Sequence, residues 1–187
     1  MKTNKYTVLI CSLFALLMLN SCVEELKTEN YYTFTGEMVT DYLVNREDQF
    51  SDFVYVLGRS GVKELLAAYG NYTCFAPTNE AFDLYLAERG KSSVEELTDE
   101  ECDTISYGHV IKSELDCFMT TDMDNGIVGT TNMNDRYIQV LIDSLTGDYY
   151  INRNSKIIVR DEEVENGVVH VIDHVLMHSI AALPDLM

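Results

Sequence analysis

Basic residues are scarce in this chain of 187 residues: thirteen Lys and Arg stand against thirty-one Asp and Glu, a formal net charge of −18. An acidic excess of that size repels the phosphate backbone and excludes nucleic acid as a partner. Long hydrophobic runs are missing too. The longest, Val8 to Leu19, has twelve residues with only Ser12 as a polar interruption, short of the roughly twenty that span a bilayer. No Gly-x-Ser-x-Gly elbow, Gly-rich phosphate loop or EF-hand order of ligands occurs, which removes the signatures of α/β-hydrolase, nucleotide and EF-hand chemistry. Cysteine is sparse beyond the N-terminus. Cys74, Cys102 and Cys117 cannot all pair, and their spacing fits no zinc or redox motif. Cys74, inside the apolar YTCFAP, reads as a small buried hydrophobe, while Cys102 and Cys117 could bridge in an oxidising compartment.

What is present is the composition of a folded domain. The chain is 47% hydrophobic and 24% charged with a mean hydropathy of −0.06, too apolar for a disordered acidic tail. A domain of about 150 residues buries about 70% of its unfolded surface, so neither metal nor disulfide framework is required.

At the N-terminus, Lys2 and Lys5 precede the apolar run, so residues 1–21 read as an export signal. Leu19-Asn20-Ser21-Cys22 resembles a bacterial lipobox, which implies cleavage before Cys22 and acylation of that residue. Two or three acyl chains, at about 0.8 kcal/mol per buried methylene, hold a protein where one chain binds only reversibly. Residues 22–33 then form an acylated tether, and the membrane is a partner through the lipid. Val23-Glu24-Glu25 avoids an aspartate after Cys22, and its acidic pair resembles the short signals that send lipoproteins of the Bacteroides group to the outer face of the outer membrane. The implied location is the outer membrane at the cell surface, otherwise facing the periplasm. Loss of residues 1–21 removes Lys2 and Lys5 and no acid, so the remainder carries 11 − 31 = −20.

Beyond the tether, helical spacing comes first. Met38, Val39, Tyr42 and Leu43 predict a helix over Gly36 to Asn45. Phe50, Phe53, Val54 and Leu57 predict a second, stopped by Gly58 and Gly61 before a short helix through Leu65-Leu66. Tyr72 to Ala76 is a buried strand, and Pro77-Thr78-Asn79 caps a helix over Glu80 to Glu88. Ser92-x-x-Glu95 and Thr98-x-x-Glu101 both match the capping box.

From His109 onward the period changes. Arg136 to Ile142, Asp148 to Asn152, Lys156 to Arg160 and Val168 to Leu176 predict strands. Asn166-Gly167 predicts a hairpin, because both residues tolerate the positive φ of tight turns. Helices followed by antiparallel strands make the fold class α+β.

Two segments carry a family resemblance. Tyr72-Thr73-Cys74-Phe75-Ala76-Pro77-Thr78-Asn79-Glu80-Ala81-Phe82 resembles the first signature of fasciclin (FAS1) domains, and Asn166-Gly167-Val168-Val169-His170-Val171-Ile172-Asp173-His174-Val175-Leu176 resembles the second, about ninety residues later. The resemblance covers residues 34–178 and implies a wedge of small β-sheets with flanking N-terminal helices. It places Thr73, Phe75, Ala76, Pro77, Thr78, Asn79 and Phe82 in the first structural signature, and Asn166, Gly167, Val171, Ile172, Asp173 and His174 in the second. His109 falls where the family often has an aromatic–histidine pair, but Gly108 precedes it here and Tyr107 lies one further back. Residues 179–187 look like a tail or the remnant of a linker to another such unit.

The implied role is an anchored, non-catalytic adhesion or binding module that recognises a protein, a matrix component or a glycan, without cofactor or metal. Its rivals are an accessory lipoprotein of an outer-membrane glycan importer and a hydrolase using an unrecognised acid or serine, which loss of activity in folded Asp173→Ala and His174→Ala variants would support. His170, His174 and His178 recur every four residues, a zinc spacing on a helix. On the β-branched strand expected here, however, His170 and His174 lie about 13 Å apart at ~3.3 Å per residue, too far for one ion. The runs Asp99-Glu100-Glu101-Cys102-Asp103 and Asp161-Glu162-Glu163 read as solvated acidic faces. Tyr149 and Tyr150 suit either sugar stacking or half-buried strand positions.

Overall fold

The computed structural model describes residues 36–176. The segments 1–21 and 22–33 with Cys22, His178 and the 179–187 tail lie outside the described residues. Helices come first: α1 (Val39–Val44), α2 (Glu47–Ser60) and α3 (Val62–Leu66), then α4 (Asn79–Glu88) and α5 (Asp99–Gly108) after one strand. Helix α2 buries Phe50, Phe53, Val56 and Leu57, the 3.6-residue spacing that gives a helix one apolar face. Gly61, at φ +72, is both the left-handed end of α2 and the entry to α3. Gly58 lies inside the helix and shares in the stop only through its carbonyl, which accepts from Gly61 N at 3.4 Å.

Thr78 caps α4, its hydroxyl accepting from Ala81 N at 3.2 Å. At α5 the expected box forms: Thr98 Oγ1 accepts from Glu101 N at 3.2 Å, and Glu101 Oε2 accepts from Thr98 N at 2.8 Å. Lys91 Nζ, 2.6 Å from the same Glu101 oxygen, joins it. We expect Thr98→Ala to lower stability by about 1 kcal/mol, read as a lower urea midpoint at unchanged slope. The box expected at Ser92 and Glu95 does not form. Ser93 is extended, a single 3₁₀ turn follows at Val94–Glu96, and Ser92 N donates to Glu96 instead. With Thr98 already capping α5, only one turn fits between them.

Seven strands follow the order β2-β1-β7-β6-β5-β4-β3, with β1 at Asn71–Pro77, β2 at Val110–Ser113, β3 at Gly126–Thr131, β4 at Tyr137–Ile142, β5 at Tyr149–Ile151, β6 at Ser155–Val164 and β7 at Gly167–Ile172. The fold is α+β, as the sequence implies, with the strands joined into one mixed order. Strands β1 and β7 run parallel, with Thr73 opposite Val168, Phe75 opposite His170 and Pro77 opposite Ile172. The other pairings are antiparallel. The two segments that resemble family signatures are therefore laid side by side as the second and third strands of that order.

Alternation along β1 and β7 feeds two cores. Tyr72, Cys74, Ala76, Val169 and Val171 face the helices and pack with Phe50, Phe53 and Phe82. Phe75 and Ile172 face the other way, against Ile111, Ile138, Val140, Ile151 and Ile157. For β4, β5 and β6 to meet β1 and β7 in that second core, the sheet folds over on itself. The turn falls in β6, where pairing to β7 shifts register between Ile157 and Glu162 and Asp161 adopts φ +60, a bulge that bends the strand.

Several boundaries differ from expectation. β2 and β3 carry no strong strand signal: one has four residues, the other two glycines. β7 ends at Ile172, so Asp173 and His174 follow the strand rather than lying on it. The hairpin between β6 and β7 is present with Val164 opposite Gly167, yet neither Asn166 nor Gly167 has a positive φ; both serve other purposes. No bridge joins Cys102 to Cys117. Cys74 and Cys102 are buried, Cys117 is half-buried, and all three are free thiols. Burial pushes the Cys74 thiol up to about 12, leaving it unreactive.

Candidate functional site

Six polar residues of the two signatures, Thr73, Thr78, Asn79, Asn166, His170 and Asp173, are used on the backbone of the fold. Asn166 is 3% exposed. Its amide nitrogen donates to Leu66 O and Ala68 O, both at 2.7 Å, and its oxygen accepts from Val39 N at 2.9 Å. One side chain thus ties the β6–β7 turn to α3 and to the start of α1. Asn79 does a similar task at α2, donating to Asp48 O at 3.2 Å and accepting from Asp52 N at 3.1 Å. Asp173 Oδ1 accepts from Lys156 N at 2.8 Å and lies 2.8 Å from His174 Nδ1. Pro77 ends β1 beside Ile172, while Phe75, Ala76, Phe82, Val171 and Ile172 are core residues.

A second set holds the segment between β2 and β3. Phe118 N donates to Thr73 Oγ1 at 2.8 Å, and Phe118 O accepts from His170 Nε2 at 2.8 Å. Both polar groups of one peptide residue are thereby clamped by neighbouring strands β1 and β7. His170 Nδ1 accepts from Asp161 N at 3.2 Å, and its ring stacks on Phe75 with centroids 5.5 Å apart. Asp161 also accepts from Thr120 N at 2.6 Å and from the Thr120 hydroxyl. Burial pushes the Asp161 carboxyl up, but the Thr120 hydrogen bonds more than offset this and hold it below the usual carboxylate range. His170 is a neutral, buried crosslink and not a zinc ligand. Among the described residues, no group of His, Cys, Asp and Glu is placed to hold a metal ion. The sequence carried no signal for Asp161 and Thr120, whose meeting requires the bulge in β6.

His109 is fully buried. Nδ1 lies 2.6 Å from Ile105 O, Nε2 accepts from Leu176 N at 2.8 Å, and the ring sits 5.5 Å from that of Phe53. Placed there, it cannot touch a partner. Burial pushes its pKa down to about 4, against about 6.5 in an unfolded chain. Between those values the unfolded chain binds a proton that the native site refuses. Stability is therefore full above about pH 6.5 and falls as pH drops towards 4, by about 3 kcal/mol from His109 alone. His170, also lowered by burial, adds in the same direction. Urea midpoints measured from pH 7 to pH 4.5 should fall steadily, and a flat profile would show that His109 is solvated.

The surface that remains is a groove of about 970 Å³, within the range of ligand-sized concavities. One side is the segment from Glu114 to Met119 with Asp122. The other sides are Lys112 and Ser113 of β2, Gly129 and Thr130 of β3, and Glu163, Val164, Gly167 and Val168 at the β6–β7 turn. Of the site residues read from the sequence only Gly167 lines the groove, because β2 and β3 show little periodicity and the lining residues meet only through the fold. Tyr149 and Tyr150 are half-buried. Tyr149 packs on the second core with the Arg160 guanidinium 5.6 Å from its ring.

A helix-covered, folded-over β-sheet, with His109, Asn166 and His170 buried and bonded to backbone and a groove on loops and sheet edges, defines a scaffold-type α+β module. The Fasciclin domain family model matches residues 48–178. This chain belongs to the fasciclin (FAS1) family, whose domains are typically non-catalytic modules associated with adhesion and binding. It is 27% identical to Protein sll1483 of Synechocystis over 186 residues, covering 95% of this chain and 98% of that one. It is 27% identical to human periostin and 29% identical to porcine transforming growth factor-beta-induced protein ig-h3, covering 68% and 72% of this chain. The matched regions span only 15% and 19% of those two relatives. Among solved structures, a FAS1 domain pair from the insect cell adhesion molecule fasciclin I shares the fold with a TM-score of 0.61 at 19% identity. That match covers 75% of this chain and 51% of the insect chain.

Proposed function

We propose that this chain is a lipid-anchored, extracytoplasmic FAS1 binding module, tethered through Cys22 and recognising a protein, a matrix component or a glycan without catalysis. One observation carries the reading: the polar signature residues Thr73, Asn79, Asn166 and Asp173 are bonded to backbone inside the fold, while a groove among the described residues is open to a ligand. The adhesion role of the insect protein with the same fold supports it. The lipobox-like Leu19-Asn20-Ser21-Cys22 supports the anchor, with residues 1–21 removed, 22–33 as tether, 34–178 as the domain and 179–187 as a tail. The outer membrane is its place, with the domain at the cell surface or otherwise facing the periplasm.

The protein from residue 23 onward, presented to glycan and matrix-protein arrays, should give saturable binding to at least one ligand class. Binding to none, together with turnover of an ester or glycoside, would overturn the reading. Mass spectrometry of the cell-derived protein should find acylated Cys22 as the first residue, and a mature N-terminus elsewhere would remove the anchor.

A further inference from the structure

We infer that the groove takes an extended polypeptide segment bearing Lys or Arg, added as a strand along the open edge of β3. This rests on the reading of the chain as a binding module and names the partner chemistry of its groove.

The strand β3 ends the sheet, with β4 as its one neighbour in the strand order. Natural edge strands are guarded by charged side chains, by proline or by bulges that twist the edge away. Gly126–Thr131, GIVGTT, has neither charge nor proline. Of the three guards it carries only a bulge, where pairing to β4 shifts register between Ile127 and Thr131, and the bulged residues Gly129 and Thr130 are turned to the groove they line rather than away from it. Gly129 is exposed, lacks a positive φ, and would meet nothing within 4 Å if it carried a Cβ. Neither backbone conformation nor packing therefore requires a glycine there. Its effect is to leave bare backbone facing the groove, the condition under which a second backbone can approach closely and pair.

The opposite wall is already held in place. Phe118 is fixed through both its N–H and its C=O, and Thr120 through Asp161, so little ordering is lost when a strand enters. That wall and the β6–β7 turn place Glu114, Asp116, Asp122 and Glu163 around the groove against a single Lys112, a balance of 1 − 4 = −3. On a chain of net charge −18, this selects a cationic occupant and repels an acidic one. Val164 and Val168 between them give apolar contact. A strand presents side chains alternately to its two faces, so a segment alternating basic and apolar residues suits the groove.

The probe is a fluorescein-labelled eight-residue peptide of alternating Lys and Val, titrated against the full chain at 150 mM salt by fluorescence anisotropy. A second peptide has the same sequence with alternate backbone nitrogens methylated, which keeps the charge and removes the donors needed for pairing. The parent peptide should bind saturably, and methylation should weaken it at least tenfold. Gly129→Val should weaken it to a similar degree without changing the melting temperature, since the side chain has open space to occupy. Glu163→Gln combined with Asp116→Asn should weaken binding about threefold to tenfold. Absence of binding by the parent peptide would overturn the inference, as would equal binding of the methylated peptide or an unchanged affinity in Gly129→Val. If array ligands still bind while the peptide does not, the module keeps its binding role and only the groove assignment falls.

Discussion

Gly167→Ala should destabilise the protein by about 3 kcal/mol or more, although it adds one methyl group at a position with ordinary backbone angles. A Cβ at residue 167 would lie 2.1 Å from Tyr72 O, 3.0 Å from Tyr72 C and 3.2 Å from Tyr72 N. The obstruction is backbone, and that backbone cannot yield. Tyr72 is buried in the first core, paired to Lys112 on one side and to Gly167 on the other, and its N–H donates to Asn166 O at 3.0 Å. Forcing β1 and β7 apart here breaks the parallel pair on which both cores are built, which places the cost at or beyond the upper end of ordinary overpacking. Two other glycines provide contrast. Gly129→Ala meets open space and should change stability by no more than about 0.5 kcal/mol. Gly58→Ala, inside α2 with nothing within 4 Å, should stabilise by about 0.5–1 kcal/mol by lowering the entropy of the unfolded chain. Urea unfolding of the three variants tests the ordering, and equal midpoints for Gly167→Ala and Gly129→Ala would refute the close-approach account.

Asn166→Asp, nearly isosteric, should cost about 4 kcal/mol at neutral pH. The amide nitrogen that donates to Leu66 O and Ala68 O becomes an oxygen 2.7 Å from two carbonyl oxygens. Two buried acceptors then lose their donor, and a carboxylate is placed among them. Such a carboxyl has its folded pKa raised above the unfolded value of about 3.9. By linkage, the deficit relative to wild type is complete above the raised folded pKa and shrinks as pH falls through it towards about 3.9. One proton restores one of the two lost bonds, so recovery is partial. Difference free energies from urea melts at pH 7 and pH 4 check the sign, and a deficit that is constant or grows in acid would contradict the hydrogen-bond assignment.

How far the sequence reached is best seen at particular residues. The Thr98 and Glu101 box and the Thr78 cap were legible, because capping is settled by groups three residues apart. The Ser92 box has the same pattern but not the same outcome, since the cap at Thr98 left it a single turn. Asn166-Gly167 forms the expected turn, but by different chemistry. Local rules assign this dipeptide to positive φ, whereas the Asn is needed for three backbone partners far away in sequence and the Gly for the approach of β1. The strand pattern around His170 is legible in the sequence, but its role as the clamp on Phe118 is invisible without the fold. The groove was not legible at all, because its walls come from β2, β3, the β6–β7 turn and the segment after β2, none of which signals the others.

By itself the sequence determined the helices and most of the strands, the α+β class, a net charge of −18 and the two segments that mark the family, because periodicity, capping and charge are written in neighbouring residues. Tertiary structure alone decided that those two segments run side by side in parallel, that His109 and Asn166 are buried and fully bonded, and that a bare edge at Gly129 faces an acidic wall. These are contacts between residues tens of positions apart, and they exist only once β6 bends and the sheet folds over its second core.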